Sequence, residues 1–370
     1  MIDNATLILG PPGCGKTYTL IERVQAKLEE GVHPSRIGVV SFTTKAIGEF
    51  VARACDKFNL TKQDFPHFKT LHATGYHGLG LAPKDVMSKQ DYAKLGEMLA
   101  VDFDGADSTS VHDGIAVPSM KGSGAKYLQI IMRSVYRMSD LDFEFNYEED
   151  HDLSFSKLVQ IEKQLLEYKS KTNRVDFSDM IAKYIDIAEP PNLDLLIVDE
   201  AQDLTPLQWD MVVKIAKQVD RIYIAGDDDQ AIYEWNGADV TLFQSFPGRA
   251  LVLKKSVRLN KNIHFFSKCL LNSMGDNRVK KEFYSNQKEG GVYRCNGLKK
   301  IPWDLEGDWM VLARINDVKK ELQQEARNLS LYYQDVKGNK SFDPNQFLAI
   351  EYWNKICDGG SISREEACVM

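Results

Sequence analysis

The sequence lacks the features that mark membrane-spanning and secreted proteins. Within its 370 residues, no apolar run reaches the roughly 18 residues that a membrane span requires. The N-terminus, Met1-Ile2-Asp3-Asn4, has neither a basic region nor a signal-peptide pattern. The six cysteines are widely scattered without any C-x-x-C pair, which argues against a zinc site or a disulfide framework and fits a reducing cytosol. We therefore expect a cytoplasmic protein without a membrane partner.

An excess of positive charge is also missing. The formal net charge is -7, so the chain as a whole has no basic signature of nucleic-acid binding, although a local basic groove is compatible with this total. The hydrophobic content of 43% and the charged content of 27% are those of an ordinary globular protein with packed cores. Taking roughly 150 residues per domain, the length indicates two or three domains.

Short apolar runs alternate with helical patterns along the chain. Continuous apolar runs are typical of parallel strands that are buried on both faces. After the first run, Leu20, Val24 and Leu28 recur four apart and Gly31 offers a helix end, which gives a strand–helix–strand unit. This order predicts an α/β fold with parallel sheets. The predicted strands are ATLIL from Ala5, IGVVSF from Ile37, LDLLIV from Leu193, RIYIA from Arg221, ALVL from Ala250 and WMVLA from Trp309.

A mostly helical stretch interrupts this alternation, which later resumes. We interpret it as a subdomain that is inserted into the first sheet domain. Near the C-terminus, Ser363 and Glu366 form a capping-box pattern, which marks the start of a helix, only a few residues before the last residue, Met370. We therefore expect a chain that is cut before its natural end, with an incomplete last domain. The predicted domains are residues 1–79 with 175–248, the inserted residues 80–174, and residues 249–370.

The segment GPPGCGKT satisfies the pattern G-x-x-x-x-G-K-[ST] between a predicted strand and an amphipathic helix. Glycines here let backbone N–H groups surround phosphate oxygens, and the helix N-terminus adds its positive end. Lys16 would reach the β- and γ-phosphates, and the Thr17 hydroxyl would bind Mg²⁺. A plain Gly/Pro turn is the alternative, but the motif in this context favours a nucleotide site. Its predicted contacts are Gly10, Pro11, Pro12, Gly13, Cys14, Gly15, Lys16, Thr17 and Tyr18.

A second motif, LLIVDEAQD, places two acids where an apolar strand ends. Asp199 could hold Mg²⁺ through water, and Glu200 could polarise the attacking water as a general base. Acid pairs at strand ends are often only solvated. Together with the phosphate loop, however, this pair indicates an enzyme that hydrolyses ATP or GTP.

Six segments occur along the chain in the order GPPGCGKT, VVSFTTKA, FKTLHATG, DFSDMI, IVDEAQDLTPLQW and GDDDQAIYEWNGA. These motifs and their order resemble the UvrD/Rep/PcrA family of superfamily 1 DNA helicases. Two later segments, LKKSVRLNKNI and WMVLARINDVKKEL, are similar to the first motifs of that family's second RecA-like domain. The short N-terminus is similar to that of compact phage-encoded members.

The resemblance implies a P-loop NTPase with a helical subdomain inserted in the first RecA-like domain and a partial second RecA-like domain. It implies a motor that hydrolyses ATP with Mg²⁺ and moves along single-stranded DNA, 3′ to 5′, with duplex/single-strand junctions as further partners. By the same resemblance, Gln230 would sense the γ-phosphate, and Arg258 would reach it across the cleft between the domains. Arg314 also falls in a family motif and is an expected nucleotide contact.

The resemblance also implies a track for single-stranded DNA. Stacking of bases on aromatic rings tolerates any sequence, because every base has a π-face. Aromatic side chains that only fill the core beneath a loop are the alternative. The family's stacking positions are matched here by Phe42, Tyr233 and Trp235, and its phosphate-contacting positions by Thr43, Lys45, Thr70 and His72.

Three departures from the family pattern leave alternatives open. The adenine-reading glutamine motif is missing before Gly10, and Val257 stands where many relatives have an adenine-stacking tyrosine, so other nucleotides could be accepted. The late helicase motifs are missing too. The chain could therefore be an ATP- and DNA-binding P-loop module without unwinding activity, or an RNA helicase of the same superfamily. The pathway, be it repair, replication or recombination, is left open.

The stretch GDDDQAIYEWNG places three successive acids and two aromatic residues directly after an apolar run. Asp227, at the strand end, is expected near Asp199 in the magnesium–water network. Asp228 and Asp229 are expected to be structural or solvated. With Gln230 toward the nucleotide and Trp235 toward DNA, this stretch is predicted to join the two binding sites.

Overall fold

The computed structural model describes residues 4–103, 122–148, 152–275, 278–303, 308–313, 315–335, 338–341 and 344–367. The chain forms two compact units, Met1–Gly291 and Val292–Met370, and each is described by itself. Across the described residues, every helix is too short or too polar to cross a membrane.

The first unit is built on a six-stranded, entirely parallel sheet with the order β3-β2-β4-β5-β1-β6. The predicted α/β class with a parallel sheet is therefore confirmed. Five of the six strands match predicted runs, whereas the short β3 was not predicted. The strands are β1 (Ala5–Leu9), β2 (Ile37–Ser41), β3 (Phe68–Thr70), β4 (Leu195–Asp199), β5 (Arg221–Gly226) and β6 (Arg249–Val252).

Helices connect these strands. Those of the first unit are α1 (Lys16–Glu29), α2 (Thr44–Phe58), α3 (Leu71–Gly78), α4 (Lys89–Leu99), α5 (Ala125–Arg137), α6 (Leu141–Asn146), α7 (Phe155–Thr172), α8 (Phe177–Ile187), α9 (Pro206–Ala216), α10 (Val240–Gln244) and α11 (Lys261–Ser273). The predicted helix after β1 is confirmed, and Gly31 follows its end in the left-handed conformation, with φ 87°.

The sheet has a packed core on each face. In β4, Leu195 and Ile197 join one core with α1 and α2, and Leu196 and Val198 join the other with α8 and α9. Side chains alternate between the two faces of a strand, so a strand that is covered on both sides must be apolar throughout. This explains why the predicted strands are continuous apolar runs.

Between β3 and β4 the described chain is helical and has a core of its own, formed by α4, α5 and α7. These helices lie within the predicted helical insertion, whose bounds stay a prediction. At the other predicted boundary, β6 pairs in parallel with β1, Thr6 opposite Arg249 and Leu9 opposite Val252. The segment after residue 248 thus adds a strand to the first sheet before the chain continues, and the exact domain boundaries stay predictions.

The second unit contains α12 (Asn316–Asn328), α13 (Pro344–Cys357) and α14 (Arg364–Ala367). Its described residues form no strand, so the prediction of a strand for WMVLA is wrong. A strand needs a neighbour to satisfy its backbone groups, and Met310 and Leu312 are instead exposed. The capping box predicted for α14 is confirmed, because the Glu366 N–H donates to Ser363 Oγ at 3.1 Å and the Ser363 N–H donates to the Glu366 carboxylate at 2.6 Å.

Candidate functional site

All six strands end at the same edge of the sheet because they are parallel. The phosphate-loop motif follows β1, the DEAQD acids follow β4, and the acidic stretch follows β5. Ligands of open α/β sheets bind at the carboxyl ends of the strands. The fold therefore gathers motifs that are far apart in the sequence along one edge.

The phosphate loop turns directly from β1 into α1. Gly13 and Gly15 have φ values of 71° and 85°, a backbone conformation that side chains with a Cβ rarely adopt. Lys16 opens the helix, and its Nζ donates to the Gly10 carbonyl at 2.9 Å. The helix N-terminus, together with the Lys16 ammonium, forms a site suited to phosphate oxygens. Thr17 lies half-buried in the first turn of α1.

Arg258 lies beside this loop within the first unit. Ser256 Oγ donates to the Pro12 carbonyl at 2.8 Å, and the Val257 N–H donates to the Gly13 carbonyl at 2.8 Å. A Cβ on Gly13 would overlap the Cβ of Arg258, so a glycine is required for this close approach. Arg258 itself is exposed, so its guanidinium can turn toward the loop.

Residues predicted to lie at the edge of the nucleotide site are more exposed than the phosphate loop. Tyr18 is 61% exposed and its ring carries the Lys57 ammonium at 5.4 Å from the centroid. Val257, where the resemblance would place an aromatic ring, is 72% exposed. Burial raises the pKa of the Cys14 thiol in spite of Lys16. Arg314 lies outside the described residues.

The two acids at the end of β4 lie in different environments. Asp199 is buried and its Oδ1 accepts the Glu200 N–H at 3.0 Å. Burial raises the pKa of Asp199 to about 7, Glu200 acts in the same direction, and Lys16 opposes the shift. A divalent cation favours a carboxylate that is otherwise costly to ionise. Asp199 offers the kind of oxygen ligand that Mg²⁺ prefers, and the Thr17 hydroxyl is the other candidate ligand.

Gln202, which the sequence analysis did not single out, connects the ends of β4 and β5. It is 2% exposed. Its Nε2 donates to Glu200 Oε2 and to Asp203 Oδ2, both at 3.0 Å, and its Oε1 accepts the Asp227 N–H at 3.0 Å. The candidate general base is thus held by a side chain that is itself fixed to the acidic stretch.

Asp227 and Gln230 form a tight pair at the start of that stretch. Gln230 Nε2 donates to Asp227 Oδ2 at 2.6 Å, and the Gln230 N–H donates to the Asp227 carbonyl at 2.9 Å. Asp227 is fully buried whereas Gln230 is exposed. The amide of Gln230 is therefore oriented by the buried Asp227 carboxylate, while the residue remains exposed.

Two cations that the sequence analysis missed offset most of the negative charge of the three acids. Lys281 Nζ contacts Asp227 at 2.6 Å, Asp228, and Asp229 at 3.1 Å. Arg278 donates to both oxygens of Asp229, at 2.5 and 2.6 Å, and although burial opposes the shift, these contacts lower the pKa of Asp229. Asp228 and Asp229 are therefore structural, as expected, and are not solvated.

The aromatic residues of the predicted DNA track form a row. The Phe42 and Tyr233 ring centroids are 4.9 Å apart, and those of Tyr233 and Trp235 are 6.3 Å apart. Phe42 is only 2% exposed, Tyr233 is half-buried, and Trp235 is 58% exposed. The expectation that Phe42 presents a face to a base is therefore not met, because it follows β2 into the core and supports Tyr233 instead.

Three polar residues of the predicted DNA track, Thr43, Lys45 and Thr70, lie at or near the start of a helix. Thr43 and Thr70 cap α2 and α3, since Thr43 Oγ1 accepts the Ala46 N–H at 2.9 Å and Thr70 Oγ1 accepts the Ala73 N–H at 3.2 Å. Their hydroxyl hydrogens can still donate to a phosphate, and each helix N-terminus favours an anion. Lys45 is exposed.

His72 does not match its predicted role. It is 7% exposed, and its Nε2 is hydrogen-bonded to the Tyr136 hydroxyl at 3.0 Å. It therefore connects α3 to α5 of the helical insertion, and burial keeps its ring away from a DNA backbone. The motif predicted which residue occupies this position, but it did not predict that the side chain of His72 is buried.

The helical insertion supports the turn of Trp235. Arg137 Nη2 donates to the Glu234 carbonyl at 2.6 Å. Arg137 is held in turn by Glu144, which is fully buried and also accepts from Arg133 Nε at 2.5 Å and Ser139 Oγ at 2.7 Å. Although burial opposes the shift, these partners lower the pKa of Glu144 below its ordinary value. The groove next to Trp235 is lined by Gln129, Met132, Arg133, Glu148 and Asn236.

Comparisons with known proteins point to one family. The family model for the UvrD/REP helicase N-terminal domain matches residues 1–250. The ATP-dependent DNA helicase Rep of Buchnera aphidicola subsp. Schizaphis graminum is 23% identical over 92% of this chain and 56% of its own length. The ATP-dependent DNA helicase PcrA of Leuconostoc citreum is 23% identical and that of Bacillus subtilis 24%, each over 94% of this chain and 50% of its own length. The chain thus spans about half the length of these relatives.

Proposed function

The chain belongs to the UvrD/REP helicase family, and from this premise we propose that it is an ATP-dependent DNA helicase or translocase that moves along single-stranded DNA in the 3′ to 5′ direction. The observation that carries the proposal is the stretch from Gly226 to Gly237. Its first half is bonded to the candidate general base through Gln202, and its second half presents Trp235 to the solvent. One short stretch therefore links the two candidate sites.

On the nucleotide side, Lys16 and the N–H groups of the phosphate loop bind the phosphates of ATP. Mg²⁺, held by Thr17 and Asp199, would neutralise phosphate charge when bound. Glu200 accepts the proton of the attacking water. Gln230 and Arg258 donate to the γ-phosphate as charge develops on it.

On the DNA side, Trp235 stacks on a base at the exposed end of the aromatic row, and Tyr233 continues the surface inward. Lys45 and the capping hydroxyls of Thr43 and Thr70 bind backbone phosphates, which carry no sequence information. Both modes of contact suit a motor that must tolerate every sequence. Duplex/single-strand junctions are the proposed points of entry, and the cytosol is the proposed compartment.

The direct test is ATP hydrolysis by the chain with and without single-stranded DNA and Mg²⁺. We expect hydrolysis that needs Mg²⁺ and rises on addition of DNA. Binding of both ligands without stimulated hydrolysis would favour a binding module without motor activity, and stronger stimulation by RNA would favour an RNA helicase. Displacement of a labelled strand from substrates with a 3′ or a 5′ tail tests the polarity, and a preference for the 5′ tail would contradict it.

A further inference from the structure

Lys281 has the most completely buried ammonium group at the carboxyl edge of the sheet among the described residues, with a side chain that is 0% exposed. It contacts three carboxylates, those of Asp227, Asp228 and Asp229. Its Nζ donates a hydrogen bond to Asp227 Oδ1, while the other carboxylate oxygen, Oδ2, accepts a hydrogen bond from the Gln230 side-chain amide. Lys281 and Gln230 therefore share one carboxylate between them.

The segment that carries Lys281 is paired with the segment that carries Arg258. The Tyr284 N–H donates to the Lys254 carbonyl at 2.7 Å, the Ser256 N–H donates to the Tyr284 carbonyl at 2.9 Å, and the Asn286 N–H donates to the Leu259 carbonyl at 2.9 Å. The segment that carries Arg258 reaches the phosphate loop, and the segment that carries Lys281 reaches the acidic stretch. Together they bracket the candidate nucleotide site.

We propose that Lys281 is a positioning residue of the nucleotide site: it fixes Asp227 so that Asp227 orients the Gln230 amide, and it ties Gln230 to the paired segments that carry Arg258. This inference rests on the proposed role of Gln230 toward the γ-phosphate. Without the ammonium, Asp227 and Asp228 repel one another in a buried environment. Asp227 then turns away from Asp228, and the Gln230 amide loses its fixed acceptor.

Arg278 provides a matched control. It is a cation of the same cluster, but its hydrogen bonds go to Asp229. If the cluster served stability alone, Lys281→Met and Arg278→Gln would both lower stability and leave the turnover of the folded protein unchanged. If Lys281 positions Gln230, only Lys281→Met lowers turnover.

The kinetic experiment measures kcat and KM for ATP in Lys281→Met, Arg278→Gln, Gln230→Ala and the double variant Lys281→Met/Gln230→Ala. We expect Lys281→Met to lower kcat on the order of tenfold, as misplacement of a group in the site does, with KM for ATP nearly unchanged. In the Gln230→Ala background the same substitution should have less than about a twofold effect, because its target is gone. An equal loss in both backgrounds, or no loss, would overturn the inference.

A second variant covers the case in which Lys281→Met does not fold. The cluster holds three carboxylates and two cations, and Lys281→Met/Asp228→Asn restores the original charge difference while Asp227 still lacks its ammonium. We expect this double variant to fold and to keep the turnover defect. Normal turnover in the folded double variant would contradict the positioning role.

A readout without nucleotide separates this inference from the proposed function. In protein labelled with ¹⁵N-glutamine, the Gln230 side-chain amide should exchange its protons slowly in the wild type and in Arg278→Gln, and severalfold faster in Lys281→Met. Unchanged exchange in Lys281→Met would overturn the inference. A wild type that hydrolyses no ATP would instead count against the proposed function, and the amide measurement would still decide the role of Lys281.

Discussion

The stretch from Gly226 to Gly237 has two different ends. At its N-terminal end the side chains of the three aspartates are buried, and their carboxylates form ion pairs with Lys281 and Arg278. At its second end Trp235 is 58% exposed, and Arg137 supports the turn from behind through the Glu234 carbonyl. Ionic contacts in a dry environment fix a geometry closely. An exposed ring offers stacking surface without fixing the ligand. Under the proposed function, one short stretch therefore combines a closely fixed end at the nucleotide site, here called the rigid end, with an exposed end for DNA, here called the adaptable end.

The largest expected effect concerns the support of the adaptable end. Glu144→Gln leaves Arg133 and Arg137 without their buried carboxylate, and breaking a buried pair costs about 3–5 kcal/mol. We expect this loss in the free energy of unfolding, measured with urea. Glu148→Gln is the matched control, since Glu148 contacts Arg133 at 3.4 Å but is 30% exposed. Equal losses in both variants would show that burial of the pair is unimportant.

The stability difference between the wild type and Glu144→Gln should depend on pH. The partners of Glu144 lower its folded pKa below the unfolded value of about 4.3. A group of this kind contributes stability above the unfolded pKa and loses it as pH falls through the folded pKa. The difference between wild type and Glu144→Gln should therefore be constant above about pH 5 and shrink at lower pH. A difference that grows on acidification would contradict this assignment of the charge.

The next effect tests the rigid end. Gln230→Ala removes a donor toward the developing charge on the γ-phosphate, and loss of one such donor costs about 10²- to 10³-fold in kcat. Affinity for single-stranded DNA, measured by fluorescence anisotropy, should stay unchanged. Gln244→Ala is the control, because Gln244 also bonds an acid of this turn, donating to Asp228 at 3.1 Å. If Gln230→Ala weakened DNA binding as much as hydrolysis, the two ends would not be separable.

Trp235→Ala tests the adaptable end with the opposite expectation. Loss of one base stack should weaken binding of single-stranded DNA by about 1–3 kcal/mol. Hydrolysis in the absence of DNA should persist, because the acidic end of the stretch keeps its contacts. Trp353 in the second unit has nearly the same exposure, 59%, and Trp353→Ala should leave DNA affinity unchanged. A loss of hydrolysis without DNA in Trp235→Ala would break the comparison.

The motif residues could be predicted from the sequence because their signals are local. Lys16, Asp199 and Glu200 each lie a fixed number of residues from a strand end, so the strand pattern places them at the sheet edge. Burial was harder to predict. Phe42 and His72 match motif positions, yet both side chains are buried, because packing against Tyr233 and Tyr136 is decided by tertiary contacts.

The partners of the acidic stretch could not be predicted by spacing. Asp227 and Lys281 are 54 positions apart, and no repeating pattern relates them. A physical signal was nevertheless present, because three acids after a buried strand need compensating cations. That rule demands a partner without saying which of the 46 Lys and Arg residues it is. The predicted strand WMVLA was wrong for a related reason, since an apolar run forms a strand only where a neighbouring strand pairs with it.

The smallest expected effect asks whether the adaptable end is itself oriented. Arg137→Met removes the 2.6 Å hydrogen bond to the Glu234 carbonyl and keeps an unbranched side chain, so Trp235 loses one support. We expect DNA affinity to fall by about 0.5–1.5 kcal/mol, and the effect should vanish in a Trp235→Ala background. Arg133 lies on the same face of α5 and, like Arg137, bonds Glu144, but its other hydrogen bond goes to Glu148. Arg133→Met should therefore lower stability more than DNA affinity. If both variants weakened DNA binding equally, general softening of the insertion would explain the loss, and Trp235 would need no orienting contact.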